Sequence, residues 1–247
     1  MTRPDQCEPQ GEILDESRVS KWLQAFLEAL REQYGERLVY VGQHGSWARS
    51  EGRPDSDIDT TVVLNRVGPP DLVRCREIIE QMPGAQRVAS GILIAVEELK
   101  QWNPGELVQF FYGREVLHGS VDGIVRPPTA HELIEDIRRK AFDNLLAARH
   151  YLIYPHDRSR AVHKLMYPFK FCFFALQAWL LVQEGEFIGR KGDLLKRLSD
   201  PLDREMVEVV RDWHKSEQDR TERPLHYIEL LGRWSSHMLA QLPSRSS

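Results

Sequence analysis

The segment from Val39 to Leu64 constrains this chain more than any other part of its sequence. Two stretches rich in β-forming residues flank a glycine-serine pair, Gly45-Ser46, and the second stretch carries Asp57 and Asp59 at its start. Residues two apart in a β-strand point to the same face, so we expect the two carboxylates side by side. Two adjacent carboxylates repel each other unless a cation lies between them, and Mg²⁺ prefers such hard oxygen ligands. The pattern therefore predicts a metal site on a strand.

The glycine-serine pair predicts an anion site beside these acids. Gly45 lets the backbone come close to a ligand, and Ser46 offers a hydroxyl and amide donors at an expected helix start. A phosphate cradle beside a magnesium site indicates nucleotide chemistry. The alternative is a surface loop with a capping aspartate before an ordinary edge strand.

These residues resemble the signature of nucleotidyltransferases in the DNA polymerase β superfamily. The matching segments are Gly45–Arg49, read as GSWAR, and Pro54–Asp59, read as PDSDID. The likeness is strongest to the minimal nucleotidyltransferases and the aminoglycoside adenylyltransferase type. Ser50 stands where those proteins usually have a second glycine, which is a departure that restricts how the loop bends.

The resemblance also implies a role for each matching residue. Asp57 and Asp59 become the catalytic metal ligands, and Gly45, Ser46 and Arg49 bind the triphosphate of the nucleotide. A guanidinium pairs well with phosphate oxygens, which supports this role for Arg49. An exposed arginine at a helix start, without a ligand, is an equally good interpretation. By resemblance, the cofactor is Mg²⁺ and the nucleotide substrate is ATP.

A glycine-rich loop in the second half of the chain, residues 185–193, carries the adjacent cations Arg190 and Lys191. It resembles the loop after the central helix of aminoglycoside adenylyltransferases, where a lysine reaches the triphosphate across the cleft between domains. Lys191 is assigned to nucleotide binding by that likeness. The alternative is a solvated, charged turn that joins two helices.

One departure from the family pattern concerns a third carboxylate, which such enzymes usually carry on a neighbouring strand. No acid stands near Ser90 or Gly91, where the pattern would place it. Three explanations compete. An acid from the second half, such as Glu184 or Glu186, completes the site; or the acceptor proton leaves to water or to a histidine such as His44; or the protein binds nucleotide and turns it over poorly.

The periodicity of apolar residues predicts an α/β fold plus an all-α fold. The pattern predicts a mixed sheet with helices over residues 1–125 and a helical bundle over residues 126–247. By the resemblance, the first is the nucleotidyltransferase catalytic domain and the second binds substrate or nucleotide. The boundary is placed at Pro127-Pro128. The predicted elements are a polar lead over residues 1–15, a helix from Val19 to Tyr34, strands at 38–41, 58–64 and within 86–96, a helix over 71–82, and helices that begin at Thr129, near Pro168, at Met206 and at Leu225.

Composition and residue spacing argue against several classes of protein. The 247 residues carry a formal net charge of -4 and a pI near 6.2, which argues against a general nucleic-acid binder. Three cysteines without CxxC spacing favour free thiols in a reducing compartment, so we expect a cytoplasmic protein with no membrane partner. No zinc-ligand spacing or Ser-His-Asp pattern is present, and the Arg-to-His spacings that match helical ribonucleases are loose enough to arise by chance.

The leading hypothesis is transfer of AMP from ATP to a hydroxyl of a small molecule. An aminoglycoside-like acceptor, with a role in antibiotic resistance, is the first guess and rests on fold-level analogy. The alternatives are a macromolecular acceptor, a protein or RNA partner of antitoxin type, or a nucleotide-binding protein with a degenerate site. The oligomeric state is not predicted.

Overall fold

A computed structural model describes residues 14–84, 88–154, 156 and 164–244. By the clustering of contacts the chain forms two compact units. The first comprises Met1–Trp102 and Gly113–Arg126, and the second comprises Asn103–Tyr112 and Pro127–Ser247. The predicted polar lead lies mostly outside the described residues.

The first described element is helix α1, Glu16–Tyr34. The Asp15 side chain accepts a hydrogen bond from the Arg18 amide at the start of the helix, and Gly35 ends the helix at φ +52°. The predicted apolar stripe is buried, with Phe26 and Leu30 almost fully enclosed. The amphipathic period therefore indicated this helix correctly.

A mixed four-stranded sheet forms the centre of the first unit. Its strands are β1 (Leu38–His44), β2 (Ile58–Leu64), β3 (Ala89–Ala95) and β4 (Glu115–Gly119), in the order β3-β2-β1-β4. Strand β1 pairs antiparallel with β2 and β4, while β2 and β3 run parallel. The mixed sheet predicted from the sequence is confirmed, and the predicted bounds of β2 are the observed ones.

The register of the sheet separates its two faces. Val41, Ile58, Val62 and Leu64 point to one face and pack into an apolar core with α1. Helix α3, Pro69–Gln81, adds Ile78 and Ile79 to the edge of that core. Because side chains alternate along a strand, Asp59 points to the opposite face.

Two short helices follow strands in this unit. Helix α2, Gly45–Ala48, begins directly where β1 ends, and helix α4, Val96–Leu99, begins where β3 ends. The Glu98 carboxylate accepts a hydrogen bond from the Ala95 amide at 2.8 Å, and Glu97 pairs with Lys100. The two glutamates after β3 are therefore helix-start residues.

The second unit is helical throughout its described part. Its helices are α5 (Pro104–Tyr112), α6 (Ala130–Ile153), α7 (Met166–Glu184), α8 (Lys191–Arg197), α9 (Pro201–Arg211), α10 (Glu217–Glu222) and α11 (Pro224–Gln241). Thr129 caps α6 in a capping box with Glu132. The apolar helix α7 is buried through its middle, from Cys172 to Leu180 except for the partly buried Phe174, and Gly185 ends it in the left-handed region at φ +72°.

Helix α5 belongs to the second compact unit, although it precedes β4 in the chain. The division of functional domains at residues 125 and 126 stays a prediction.

Two of the three cysteines are described, Cys75 and Cys172, and both are buried free thiols. No helix in the described ranges is long and apolar enough to cross a membrane.

Candidate active site

The end of β1 and the start of β2 bring Gly45 and Asp59 into contact. Gly45 adopts φ +72°, a backbone conformation that favours glycine, and a β-carbon there would overlap the Asp59 carboxylate. Asp59 is partly buried and lies opposite His44 in the antiparallel pairing of the two strands. The glycine of the predicted phosphate turn and one predicted metal ligand therefore form a single local site.

Asp57 comes directly before β2, two residues ahead of Asp59. Its side chain is exposed, and it makes no hydrogen bond or ion pair with any side chain in the described part of the chain. The neighbouring acid Asp55 behaves differently, because Arg53 pairs with its carboxylate at 2.8 Å. Asp57 thus has its oxygens available for a ligand.

The neighbours of Asp59 across the sheet are a histidine and a serine. His44 is its partner on β1, and Ser90 is its register partner on β3. Ser90 is where a third carboxylate would have to stand to share this face with Asp59. Among the described residues, no third histidine, cysteine or acid joins Asp57 and Asp59 to form a three-ligand group.

Arg49 follows α2 and lies on the inside of the site rather than at its surface. Its side chain is 10 % exposed, and its Nε lies 3.6 Å from Glu51 Oε2. Burial lowers the pKa of the Arg49 guanidinium, while the nearby carboxylates of Glu51 and Asp59 oppose that shift. The alternative of an exposed helix-start arginine is therefore wrong.

His44 stays neutral at physiological pH. Burial, followed by the positive charges of Arg114 and Arg49, lowers its pKa from 6.5 to about 4. The Arg114 guanidinium also lies over the Tyr40 ring, 5.3 Å from the ring centroid. Sequence reasoning missed Tyr40 and Arg114. Arg114 is separated from the motif by more than fifty residues, and only the pairing of β1 with β4 brings it to this site.

The loop from α2 to β2 is held by the Trp47 indole. The ring lies against Gly52, where a β-carbon would overlap it, and Nε1 donates to the Ser56 carbonyl at 3.4 Å. These contacts make the indole part of the packing of this loop. Ser46 is partly buried within α2, and its carbonyl accepts the Glu51 amide at 2.8 Å.

Ser50 occupies the position where the resembling proteins carry glycine, and it adopts φ +54°. Left-handed backbone is costly for a residue with a β-carbon. The departure from the motif therefore leaves the turn intact and stores strain in it.

The predicted residues of the second unit have partners of their own. Lys191 is the first residue of α8, and its Nζ lies 5.3 Å from the centroid of the Phe173 ring. Glu184 and Glu186 both pair with Arg197. Their carboxylates are therefore engaged within the helical unit.

A different group of possible metal ligands occurs in that unit: Asp200, Asp203 and His237. Each has a structural role, because Asp200 caps α9, Asp203 accepts from Trp234 Nε1 at 2.8 Å, and His237 lies 3.2 Å from Asp200. Burial raises the pKa of the Asp203 carboxyl. This group is not near the predicted motif in sequence and was not singled out there.

Comparison with known proteins agrees with this geometry. Residues 23–110, from α1 through most of α5, match the family model described as a nucleotidyltransferase domain. Among curated proteins, none matches the chain closely enough to name a relative. Among solved structures, the fold is similar to spectinomycin adenyltransferase from Enterococcus faecialis, determined with ATP and spectinomycin. The TM-score is 0.54 and the identity is 14 %, with 88 % of this chain and 99 % of the other covered.

Proposed function

From the premise that this chain is a transferase with a nucleotidyltransferase domain, we propose that it transfers AMP from ATP to a hydroxyl of a small molecule with the help of Mg²⁺. The observation that carries the proposal is the contact between Gly45 and the Asp59 carboxylate. It joins a turn suited to phosphate and an acid suited to a divalent cation in one place. The domain assignment of residues 1–125 as catalytic and 126–247 as substrate-binding is part of this proposal.

The donor set fits a magnesium ion. Asp57 offers an exposed carboxylate without a protein partner among the described residues, and Asp59 offers a second, partly buried one. Mg²⁺ in proteins is commonly held by one or two carboxylates, with substrate phosphates and water completing the shell. Bound there, the ion would neutralise charge that develops on the phosphoryl oxygens.

The remaining motif residues orient the triphosphate in this proposal. Gly45 allows the backbone to approach a phosphate, and Ser46 supplies a hydroxyl and an amide from the same turn. Arg49 is held beside Asp59 by Glu51, so it contributes a fixed positive charge rather than a mobile one. These three residues position the nucleotide, and the two aspartates hold the ion.

Lys191 is proposed as a further phosphate ligand. At the first position of α8 it keeps an ammonium group against the face of Phe173. Lys196 in the same helix is the matched control, since it is exposed and pairs with Asp193 at 2.8 Å. We expect Lys191→Ala to raise KM for ATP about tenfold or more, and Lys196→Ala to leave it unchanged.

Among the described residues, the register partner of Asp59 on the neighbouring strand is Ser90, so that position supplies no carboxylate to receive the acceptor proton. His44 is a weak base with its pKa near 4. In our proposal the proton leaves to solvent, so the enzyme relies on orientation and charge stabilisation more than on general base catalysis.

By analogy with the spectinomycin enzyme, we propose an aminoglycoside-like acceptor. The protein would then act in the cytoplasm and confer antibiotic resistance. The test is incubation of the protein with α-labelled ATP, Mg²⁺ and a panel of aminocyclitols and aminoglycosides. Label should move to an acceptor hydroxyl, with release of pyrophosphate. Label that appears instead in a protein or RNA from the native host would contradict the small-molecule assignment, and ATP binding without transfer to any of these would contradict adenylyl transfer.

A further inference from the structure

A cavity of about 450 Å³ lies in the first unit, between helix α1 and the sheet edge formed by β1 and β4. Its apolar walls come from Val19, Leu23 and Leu27 of the helix, from Leu117 of β4, and from Trp47. A volume of this size is typical of pockets that hold small organic ligands. None of the residues assigned to ATP or Mg²⁺ lines it.

One buried polar side chain in this cavity has no partner in the described part of the chain. The Gln43 side chain is 4 % exposed and lines the cavity. Its amide makes no hydrogen bond with any part of the chain that the structure describes. The amide atoms of Gln43 are open to the cavity rather than sealed from solvent, so they offer a donor and an acceptor to a ligand there.

The negative charge of the cavity lining indicates a cationic ligand. Glu16 and Glu115 are the charged residues among the described lining, and neither forms an ion pair with another described residue. Glu115 is the register partner of Gln43, so the acid and the amide share a face of the sheet. No lysine or arginine of the described residues lines the cavity to neutralise the two carboxylates.

From the cavity, the unpartnered amide and the two acids, we infer a binding site for a small organic cation, an amine that carries an apolar or aromatic body. The ammonium group pairs with Glu16 and Glu115, the body packs against Leu23, Leu27 and Trp47, and a polar group meets the Gln43 amide. One small ligand satisfies all of these groups together.

This site is separate from the proposed transfer site. Gln43 and Asp59 lie on opposite faces of the sheet, because the partner of Gln43 on β2 is Thr60. The inference rests on the cavity alone, so it stands or falls without reference to nucleotide transfer.

The test uses two matched probes, tryptamine and indole-3-acetate, which share the indole ring and carry opposite charges. Binding to the full chain is measured by calorimetry and by ligand-observed saturation-transfer NMR. We expect tryptamine to bind one-to-one with Kd of about 1 mM or tighter, and indole-3-acetate to bind at least about tenfold more weakly. No detectable binding of tryptamine, or equal binding of the two probes, would overturn the proposal.

Variants locate the binding. Glu115→Gln and Gln43→Leu should each weaken tryptamine about fivefold or more, whereas Glu36→Gln, an exposed acid outside the cavity, should not. Gln43→Leu should also leave the protein about as stable as before, because the Gln43 amide makes no hydrogen bond within the described part of the chain that the substitution would break. A large loss of stability in Gln43→Leu, or unchanged tryptamine binding in both cavity variants, would contradict a ligand role for this cavity.

Discussion

The carboxylate of Asp59 lies against the backbone of Gly45, in the space that a side chain at position 45 would fill. Gly45 directly follows β1 and Asp59 lies on β2, and the antiparallel pairing of His44 with Asp59 sets their approach. A glycine at position 45 is therefore required twice, once for its positive φ and once for the acid beside it. This relationship joins the proposed phosphate turn and a proposed metal ligand in one unit.

Gly45→Ala should disrupt that unit. The new methyl group overlaps the Asp59 carboxylate and also strains the backbone, so we expect a loss of about 2–3 kcal/mol of stability and more than tenfold weaker Mg²⁺-dependent ATP binding. The matched control is Gly123→Ala, where φ is +79° and nothing lies within 4 Å of the added atom. It should lose only about 1 kcal/mol and keep nucleotide binding. Urea unfolding and calorimetry measure both, and equal effects in the two variants would contradict the contact.

Ser50→Gly should stabilise the protein. The backbone at φ +54° is strained for serine and unstrained for glycine, so we expect a gain of about 0.5–1 kcal/mol after the greater freedom of glycine in the unfolded chain is counted. Ser50→Ala removes the hydroxyl and keeps the β-carbon, so it should give no gain. Thermal unfolding of the three proteins separates backbone strain from a role of the hydroxyl.

His44 should make the protein less stable in mild acid. Its pKa is about 4 in the folded state and 6.5 when unfolded, so protons bind preferentially to the unfolded chain as the pH falls between these values. The stabilisation is fully present above pH 6.5 and is lost towards pH 4, by roughly 3 kcal/mol in all. His44→Gln should flatten this dependence in urea unfolding without metal or nucleotide, whereas His131→Gln, at an exposed position, should retain it. A wild-type pH profile in His44→Gln would contradict the assignment.

Ser90→Asp should strengthen metal binding at the proposed site. Ser90 is the register partner of Asp59 on β3, so an acid there would share its face with the existing carboxylate. We expect Mg²⁺ affinity to rise about tenfold, because the number of charged ligands sets the affinity. Without metal the protein should lose up to about 1 kcal/mol through like-charge repulsion. Ser90→Asn has nearly the same shape without the charge and should show neither effect, and unchanged Mg²⁺ affinity in Ser90→Asp would place Asp59 outside the metal site.

Local patterns predicted much of this fold. The run of β-forming residues from Ile58 to Leu64 identified β2, and the helical period from Val19 to Tyr34 identified α1, because that helix has one apolar face to bury. The short helices α8 and α10 were not predicted, since they carry too few apolar residues for a period to show.

The site was less accessible to sequence reasoning wherever its contacts are non-local. The burial of Arg49 beside Glu51 depends on how the loop folds back, and a guanidinium by itself suggests exposure. The positions of Arg114 and Gln43 depend on the pairing of β1 with β4. No periodicity in the chain specifies that pairing, because β4 is separated from β1 by most of the first unit.

The two aspartates provide the most direct test of the account. Calorimetry with Mg²⁺ and the non-hydrolysable analogue α,β-methylene-ATP should show binding to the wild-type chain that EDTA abolishes. Asp57→Asn and Asp59→Asn should each weaken it at least about tenfold, while Asp55→Asn, which removes an exposed acid paired with Arg53, should bind as the wild type does. Wild-type affinity in both Asp57→Asn and Asp59→Asn would contradict a metal-dependent nucleotide site at the start of β2.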